Sequence, residues 1–112
     1  MKMITETLRE GQIKIALIGS MNATGAEKID LHFNAEVGAA HDVIVDLEKV
    51  DFLASMGIRT LVIAAKALKR RSGRMIILKP TPEVEQVLLA SGIDSLMDIT
   101  HELDAALALL PR

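Results

Sequence analysis

The run Val43-Ile44-Val45-Asp46-Leu47 constrains this chain more than any other stretch. It is short, β-branched and apolar, and it lacks the alternation of a strand with one wet face. Such runs are strands covered on both sides, the kind found in parallel sheets. Parallel neighbours cannot be joined by a tight turn and need a crossover, usually a helix. A second run, Arg74-Met75-Ile76-Ile77-Leu78, repeats the pattern after a helical segment. Two covered strands with a helix between them predict a layered α/β fold.

The other segments fit that frame. Residues 3–9 and 12–18 read as strands, with Ile13, Ile15 and Leu17 alternating against Gln12, Lys14 and Ala16, and Glu10-Gly11 supplies the turn of an opening hairpin. Gly19-Ser20-Met21-Asn22 ends the second strand. Thr24-Gly25-Ala26-Glu27 matches a capping box, in which the threonine caps a free N–H and the glutamate reaches back. Ile29, Phe33, Val37 and Ala40 follow at helical spacing, with Asp30, Asn34 and Glu36 on the wet side. Helix two is expected from Ser55 to Ser72, stopped by Gly73. Thr81-Pro82-Glu83 opens a third helix, with Val84, Val87 and Leu88 inward and Gly92 at its end. Leu96–Ile99 is a short last strand. Thr100 is expected to cap a final helix whose inner stripe is Leu103, Leu107 and Leu110. The order is β-β-α-β-α-β-α-β-α, with the opening hairpin and a mixed, mainly parallel sheet packed by about four helices.

A chain of 112 residues suits one domain, here residues 1–112, with one core. Its hydrophobic share of 50% and charged share of 25% are those of a globular chain. A net charge of −2 and only two aromatics, Phe33 and Phe52, offer neither a phosphate-binding field nor a base-stacking platform, so nucleic acid is not an expected partner. No apolar run is long enough to span a bilayer, and Met1-Lys2-Met3-Ile4-Thr5-Glu6 does not resemble an export signal. No membrane insertion and a cytoplasmic location are therefore expected. Cysteine is absent, so disulfides, thiolate metal sites and cysteine nucleophiles are excluded. His32, His41 and His101 are scattered without ligand spacing, and no metal or cofactor is expected.

Helix two carries the one chemical question. Placed at 100° steps, Ile58, Leu61, Val62, Ala65 and Leu68 form the stripe that must face the sheet. Met56, Ile63 and Ala67 fall near the opposite side beside Arg59, Lys66 and Arg70. Large apolar groups framed by cations on a wet face are either isolated exposures or a docking stripe for another protein. Lys66, Lys69, Arg70 and Arg71 read as a solvated helix end that complements its dipole. Ser55 opens the helix, where unpaired N–H groups favour negative charge. A serine there is a cap, a neighbour of a bound anion, or a hydroxyl that is itself phosphorylated. No Gly-x-Ser-x-Gly elbow and no glycine-rich phosphate loop surround it, so an enzyme is not expected.

The stretch Val45-Asp46-Leu47, Val50-Asp51-Phe52, Ser55-Met56-Gly57-Ile58 resembles the signature of the STAS domain (sulphate transporter and anti-sigma factor antagonist). In bacterial anti-sigma factor antagonists that stretch is a strand ending in Asp-Leu followed by Phe-Met-Asp-Ser-Ser-Gly-Leu-Gly. Gly19-Ser20-Met21-Asn22 is similar to the family's Gly-x-Leu-Asp after the second strand. Leu89-Ala90-Ser91-Gly92-Ile93 is similar to its Leu-x-x-x-Gly-Leu after the third helix. The match covers nearly the whole chain, and the order and spacing of these short motifs make it specific. Three positions depart from the pattern: Ala54 replaces the acid before the serine, Asn22 the acid after the second strand, and Met56 the second hydroxyl.

The resemblance implies partner switching. Unmodified protein would bind an anti-sigma factor that is also a serine protein kinase of the histidine-kinase-like ATPase type, and phosphorylation of Ser55 would end the complex. The expected partner surface is Asn22, Ala54, Ser55, Met56, Gly57, Arg59, Thr60 and Ile63. A STAS module that is never phosphorylated is the alternative, for example a subunit of a lipid-transport ABC assembly. A nucleotide or small-ligand site built from Asp46, Asn22 and Ser55 is a further one. Homo-oligomerisation is left open.

Overall fold

The computed structural model describes residues 1–111. Among them the chain forms β1 (Lys2–Arg9), β2 (Gln12–Met21), α1 (Ala23–Gly38), β3 (Asp42–Leu53), α2 (Ser55–Arg70), β4 (Arg74–Leu78), α3 (Pro82–Ala90), a short 3₁₀ turn (Ile93–Ser95), β5 (Asp98–Thr100) and α4 (Leu103–Leu109). The five strands form one sheet in the order β1-β2-β3-β4-β5. β1 runs antiparallel to β2, and β2, β3, β4 and β5 are mutually parallel. The hairpin, the mainly parallel sheet and the order of elements are those expected. No helix among the described residues is long and apolar enough to cross a membrane.

The two faces of the sheet are covered unequally. Ile15, Leu17, Val43, Val45, Met75 and Ile77 pack against Ile29, Phe33 and Val37 of α1, Leu61, Ala65 and Leu68 of α2, and Val84 and Leu88 of α3. On the other face Ile44, Ile76 and Leu78 are covered by Ala106 and Leu110 at the end of the chain. This is why Val43–Leu47 has no alternation: helices lie on both sides of it.

Several local expectations are corrected. α1 is capped by Asn22, whose Oδ1 accepts the Gly25 N–H at 2.8 Å; Thr24 lies inside the helix. β3 does not stop at Leu47 but continues to Leu53, with register shifts opposite Ala16/Ile18 and Gly19/Ser20. The bulges let a strand of mixed polarity stay paired while its twist increases. The left-handed residue after α2 is Ser72 (φ 62), not Gly73. Gly73 is needed for a different reason: a Cβ there would stand 1.9 Å from the His41 carbonyl oxygen. Arg71 is not a solvated cation. Its guanidinium donates to the Val37 and Ala40 carbonyls, both at 2.9 Å, and so ties the end of α1 to the end of α2. Thr100 ends β5, and its hydroxyl donates to the Ile77 carbonyl at 2.8 Å instead of capping a helix; α4 starts at Leu103 after Glu102. The inner side of α4 is Ala106 with Leu110, while Leu103 is exposed and Leu107 half-buried. Thr81 does cap α3, accepting the Val84 N–H.

At the N-terminal ends of the parallel strands a buried carboxylate holds three of them together. Asp42 is 1% exposed. Its Oδ1 accepts the Arg74 N–H at 2.9 Å, and its Oδ2 lies 3.1 Å from both Gln12 Nε2 and His41 Nδ1. Gln12 Nε2 also donates to the Pro111 carbonyl. A buried carboxylate is tolerated only with such partners.

Candidate functional site

The opposite end of the sheet, where the strands finish, is organised by the β3–α2 junction. Met21 at the end of β2 pairs with Leu53 at the end of β3, and the Met21 carbonyl accepts the Ala54 N–H at 3.0 Å. Ala54 is the extended residue before the helix (φ −98, ψ 174), and among the described residues no side chain caps the first turn of α2. The first intrahelical bond runs from Ile58 N–H to the Ala54 carbonyl at 3.1 Å. Ser55 is therefore the first residue within the helix and not its cap. It is exposed. It stands in the first turn, whose N–H groups lack intrahelical acceptors, at the positive end of the helix field.

Gly57 is buried, and its role is close approach. A Cβ on it would lie 2.7 Å from Leu53 Cδ1, 2.8 Å from Met21 Cγ and 3.0 Å from the Met21 carbonyl oxygen. The first turn of α2 thus rests directly on the ends of β2 and β3. A side chain there would lift the turn and move Ser55 with it. Gly57 presents no surface of its own to a partner.

A groove of about 470 Å³ runs between α1 and α2 beside this turn. Leu31, Glu27, Asp30 and Asn34 stand on one bank, Met56, Arg59 and Ile63 on the other, with Ala26 and Thr60 in the floor. Leu31 is 85% exposed, Met56 45% and Ile63 47%. Three large apolar side chains on one concave surface are more than scattered exposure. The banks differ in charge, with two carboxylates on α1 and a guanidinium on α2.

Of the eight expected partner residues, Met56, Arg59, Thr60 and Ile63 line this groove, while Ala54 and Ser55 immediately precede Met56 in the chain without lining it. Thr60 is buried, and its hydroxyl donates to the Met56 carbonyl at 3.0 Å, so it shapes the helix more than it offers a contact. Asn22 lies at the junction, next to Met21, but its side chain is engaged in capping α1. The α1 bank was not anticipated. The signal for it was present: Leu31 falls about 200° round the helix from Ile29, an apolar residue on the wrong side of its helix. What the sequence did not give was that α1 lies beside α2, so that two separate exposures become one surface.

The histidines stand apart, paired locally: His32 with Glu36, His41 with Asp42 and His101 with Glu85. No group of three or more His, Asp or Glu suited to a metal occurs among the described residues. Asp46 does not converge on Ser55; its Oδ1 accepts the Glu48 N–H at 3.0 Å within β3.

The STAS domain family model matches residues 4–106. The Bordetella bronchiseptica protein BtrV, named as an anti-sigma factor antagonist, is 28% identical over 100 residues, which cover 88% of this chain and 86% of that protein. Among solved structures, the anti-sigma factor antagonist SpoIIAA in its unphosphorylated form superposes with a TM-score of 0.78 at 24% identity, covering 94% of this chain and 93% of that one. The Bacillus cell fate determinant SpoIIAA in its phosphorylated form superposes with a TM-score of 0.74, also at 24% identity, covering 96% and 99%.

Proposed function

The chain belongs to the STAS domain family, and from that premise we propose that it is an anti-sigma factor antagonist switched at Ser55. In this reading it is a cytoplasmic regulator that acts by occupancy and not by catalysis. Unmodified, it binds an anti-sigma factor of the serine kinase type along the α1–α2 groove and the first turn of α2. Phosphorylation of Ser55 by that kinase ends the complex.

The observation that carries the reading is an exposed serine at a helix start without a side-chain cap among the described residues, next in the chain to Met56 of a groove that exposes Leu31, Met56 and Ile63. A phosphate adds about 1.5 to 2 negative charges at neutral pH. Within the free chain that charge is tolerated, because unpaired N–H groups and the helix field solvate it. Against an apolar partner surface the same charge must lose water, which is costly. The fold therefore survives the modification while the complex does not, and no large conformational change is required. The Bordetella bronchiseptica relative and the unphosphorylated SpoIIAA structure, each named as an anti-sigma factor antagonist, support this role.

One observation favours a second reading. Ala54 and Met56 flank Ser55 without an acid or a second hydroxyl, and Asn22 is occupied as a cap. A surface of that kind suits an interaction module that binds constitutively. Incubation with the kinase-type partner and ATP, followed by intact-mass measurement, separates the two. Switching requires a gain of about 80 Da that Ser55→Ala abolishes. Stable binding with no mass gain would replace switching by constitutive docking.

A further inference from the structure

Among the described residues β1 is the outer strand of the sheet and pairs with β2 alone. Its far side carries a row of backbone N–H and C=O groups open to another strand. β1 is eight residues long, Lys2–Arg9, and register is continuous from Lys2 to Thr7. Natural edges of this length are protected by charge, and β1 does carry charges, but they are of opposite sign. Lys2, Ile4 and Glu6 project on one face, since their partners Ile18, Ala16 and Lys14 share the opposite parity from the core residues Ile15 and Leu17.

We propose that this edge pairs with β1 of a second copy, antiparallel about a twofold axis at Ile4, with Lys2 opposite Glu6 of the second copy. An antiparallel pair of this kind has its axis perpendicular to the sheet, so each face of one copy continues into the same face of the other. Even-numbered residues must then lie opposite even-numbered residues, which leaves few registers. With Ile4 on the axis, Lys2 meets Glu6 twice and Ile4 meets Ile4. Slipping one way sets Ile4 against Glu6 and Lys2 against Leu8. Slipping further sets Glu6 against itself. Slipping the other way sets Lys2 against Ile4. Only the first register joins opposite charges and places the apolar residue at the centre.

The surroundings agree with this register. Ile4 is 58% exposed, and with Ala16 and Ile18 it walls a hollow of about 200 Å³ on the sheet face opposite α1. α4 covers Ile44, Ile76 and Leu78 but leaves this side of the face open. Lys14 Nζ already lies 3.7 Å from Glu6 Oε1. Lys2 of the second copy would complete a row of Lys14, Glu6 and lysine across the joint. The joint lies at the β1 edge, shares no residue with the lining of the α1–α2 groove, and does not depend on the reading of Ser55.

Sedimentation of the full chain across a concentration series tests this. The weight-average mass should rise from one chain toward two. Lys2→Glu and Glu6→Lys each set like charges opposite one another and should raise the concentration needed for association at least about tenfold. An equimolar mixture of the two variants should associate again, because each then meets its opposite charge across the joint. Thermal unfolding of each variant alone checks that it folds. Should Glu6→Lys fail that check, Ile4→Lys takes its place and must leave the chain monomeric. A wild-type chain monomeric up to roughly millimolar concentration, variants that dimerise as wild type does, or a mixture that stays monomeric would each overturn the proposal.

Discussion

The two ends of the sheet treat polar groups in opposite ways. At the start of the parallel strands, Asp42 is sealed from water and gathers Gln12, His41 and the Arg74 N–H around its two oxygens. The His41 and Asp42 N–H groups both reach the Gly11 carbonyl, at 2.7 and 3.1 Å. Gln12 Oε1 is the exception, without a partner among the described residues. At the far end the first turn of α2 has no side-chain cap, Ser55 is exposed, and Met56, Ile63 and Leu31 face water. One end spends its hydrogen bonds on the fold. The other keeps donors and apolar surface unspent, and that is where binding has something to gain.

The comparison breaks most visibly at Asp42. Asp42→Ala should lower unfolding stability by about 3 kcal/mol, since it leaves Gln12 of β2, the Arg74 N–H of β4 and His41 without their shared acceptor. Chemical denaturation reads the loss, and partner affinity measured well below the unfolding transition should not change. Ser55→Asp should do the reverse. It should weaken the proposed complex at least about a hundredfold, near 2.7 kcal/mol, while unfolding stability moves by less than about 0.5 kcal/mol. Calorimetric titration against the partner checks it, and an Asp variant that binds as wild type does would remove the charge switch.

Gly57→Ala sits between these cases because it belongs to both the packing and the site. The added methyl meets Leu53, Met21 and the Met21 carbonyl, so stability should fall by about 1–3 kcal/mol and affinity should fall with it. Thermal unfolding and titration on the same sample would show whether the two losses travel together. The smallest effect is expected on the banks of the groove. Ile63→Glu and Leu31→Glu should each cost about tenfold in affinity, about 1.4 kcal/mol, and leave stability unchanged. If Ile63→Glu weakens binding and Leu31→Glu does not, the partner rests on α2 alone.

Much of this was legible residue by residue. Val43–Leu47 and Arg74–Leu78 read as covered strands because apolar runs without alternation have no wet face to offer. The angles on α2 separated Leu61, Ala65 and Leu68 from Met56 and Ile63 because a helix keeps its period regardless of what it packs against. Two of the failures share one cause, which is that partners distant in sequence decided them. Thr100 looks like a cap, but the Ile77 carbonyl claims its hydroxyl. Arg71 looks like a surface cation, but the end of α1 arrives beneath it. The third failure was local: Thr24-Gly25-Ala26-Glu27 has the spacing of a capping box, yet Asn22 stands two residues earlier and reaches the Gly25 N–H first.

By itself the sequence determined the order of elements, the faces that the covered strands and α2 bury and the place of one serine at the head of α2, because these follow from period and local backbone chemistry. Only the tertiary structure decided that this serine stands free of capping, that Gly57 lets the helix rest on two strand ends, and that Leu31 joins Met56 and Ile63 across one groove. Those are distances between segments far apart in the chain, and they are fixed by how the elements pack.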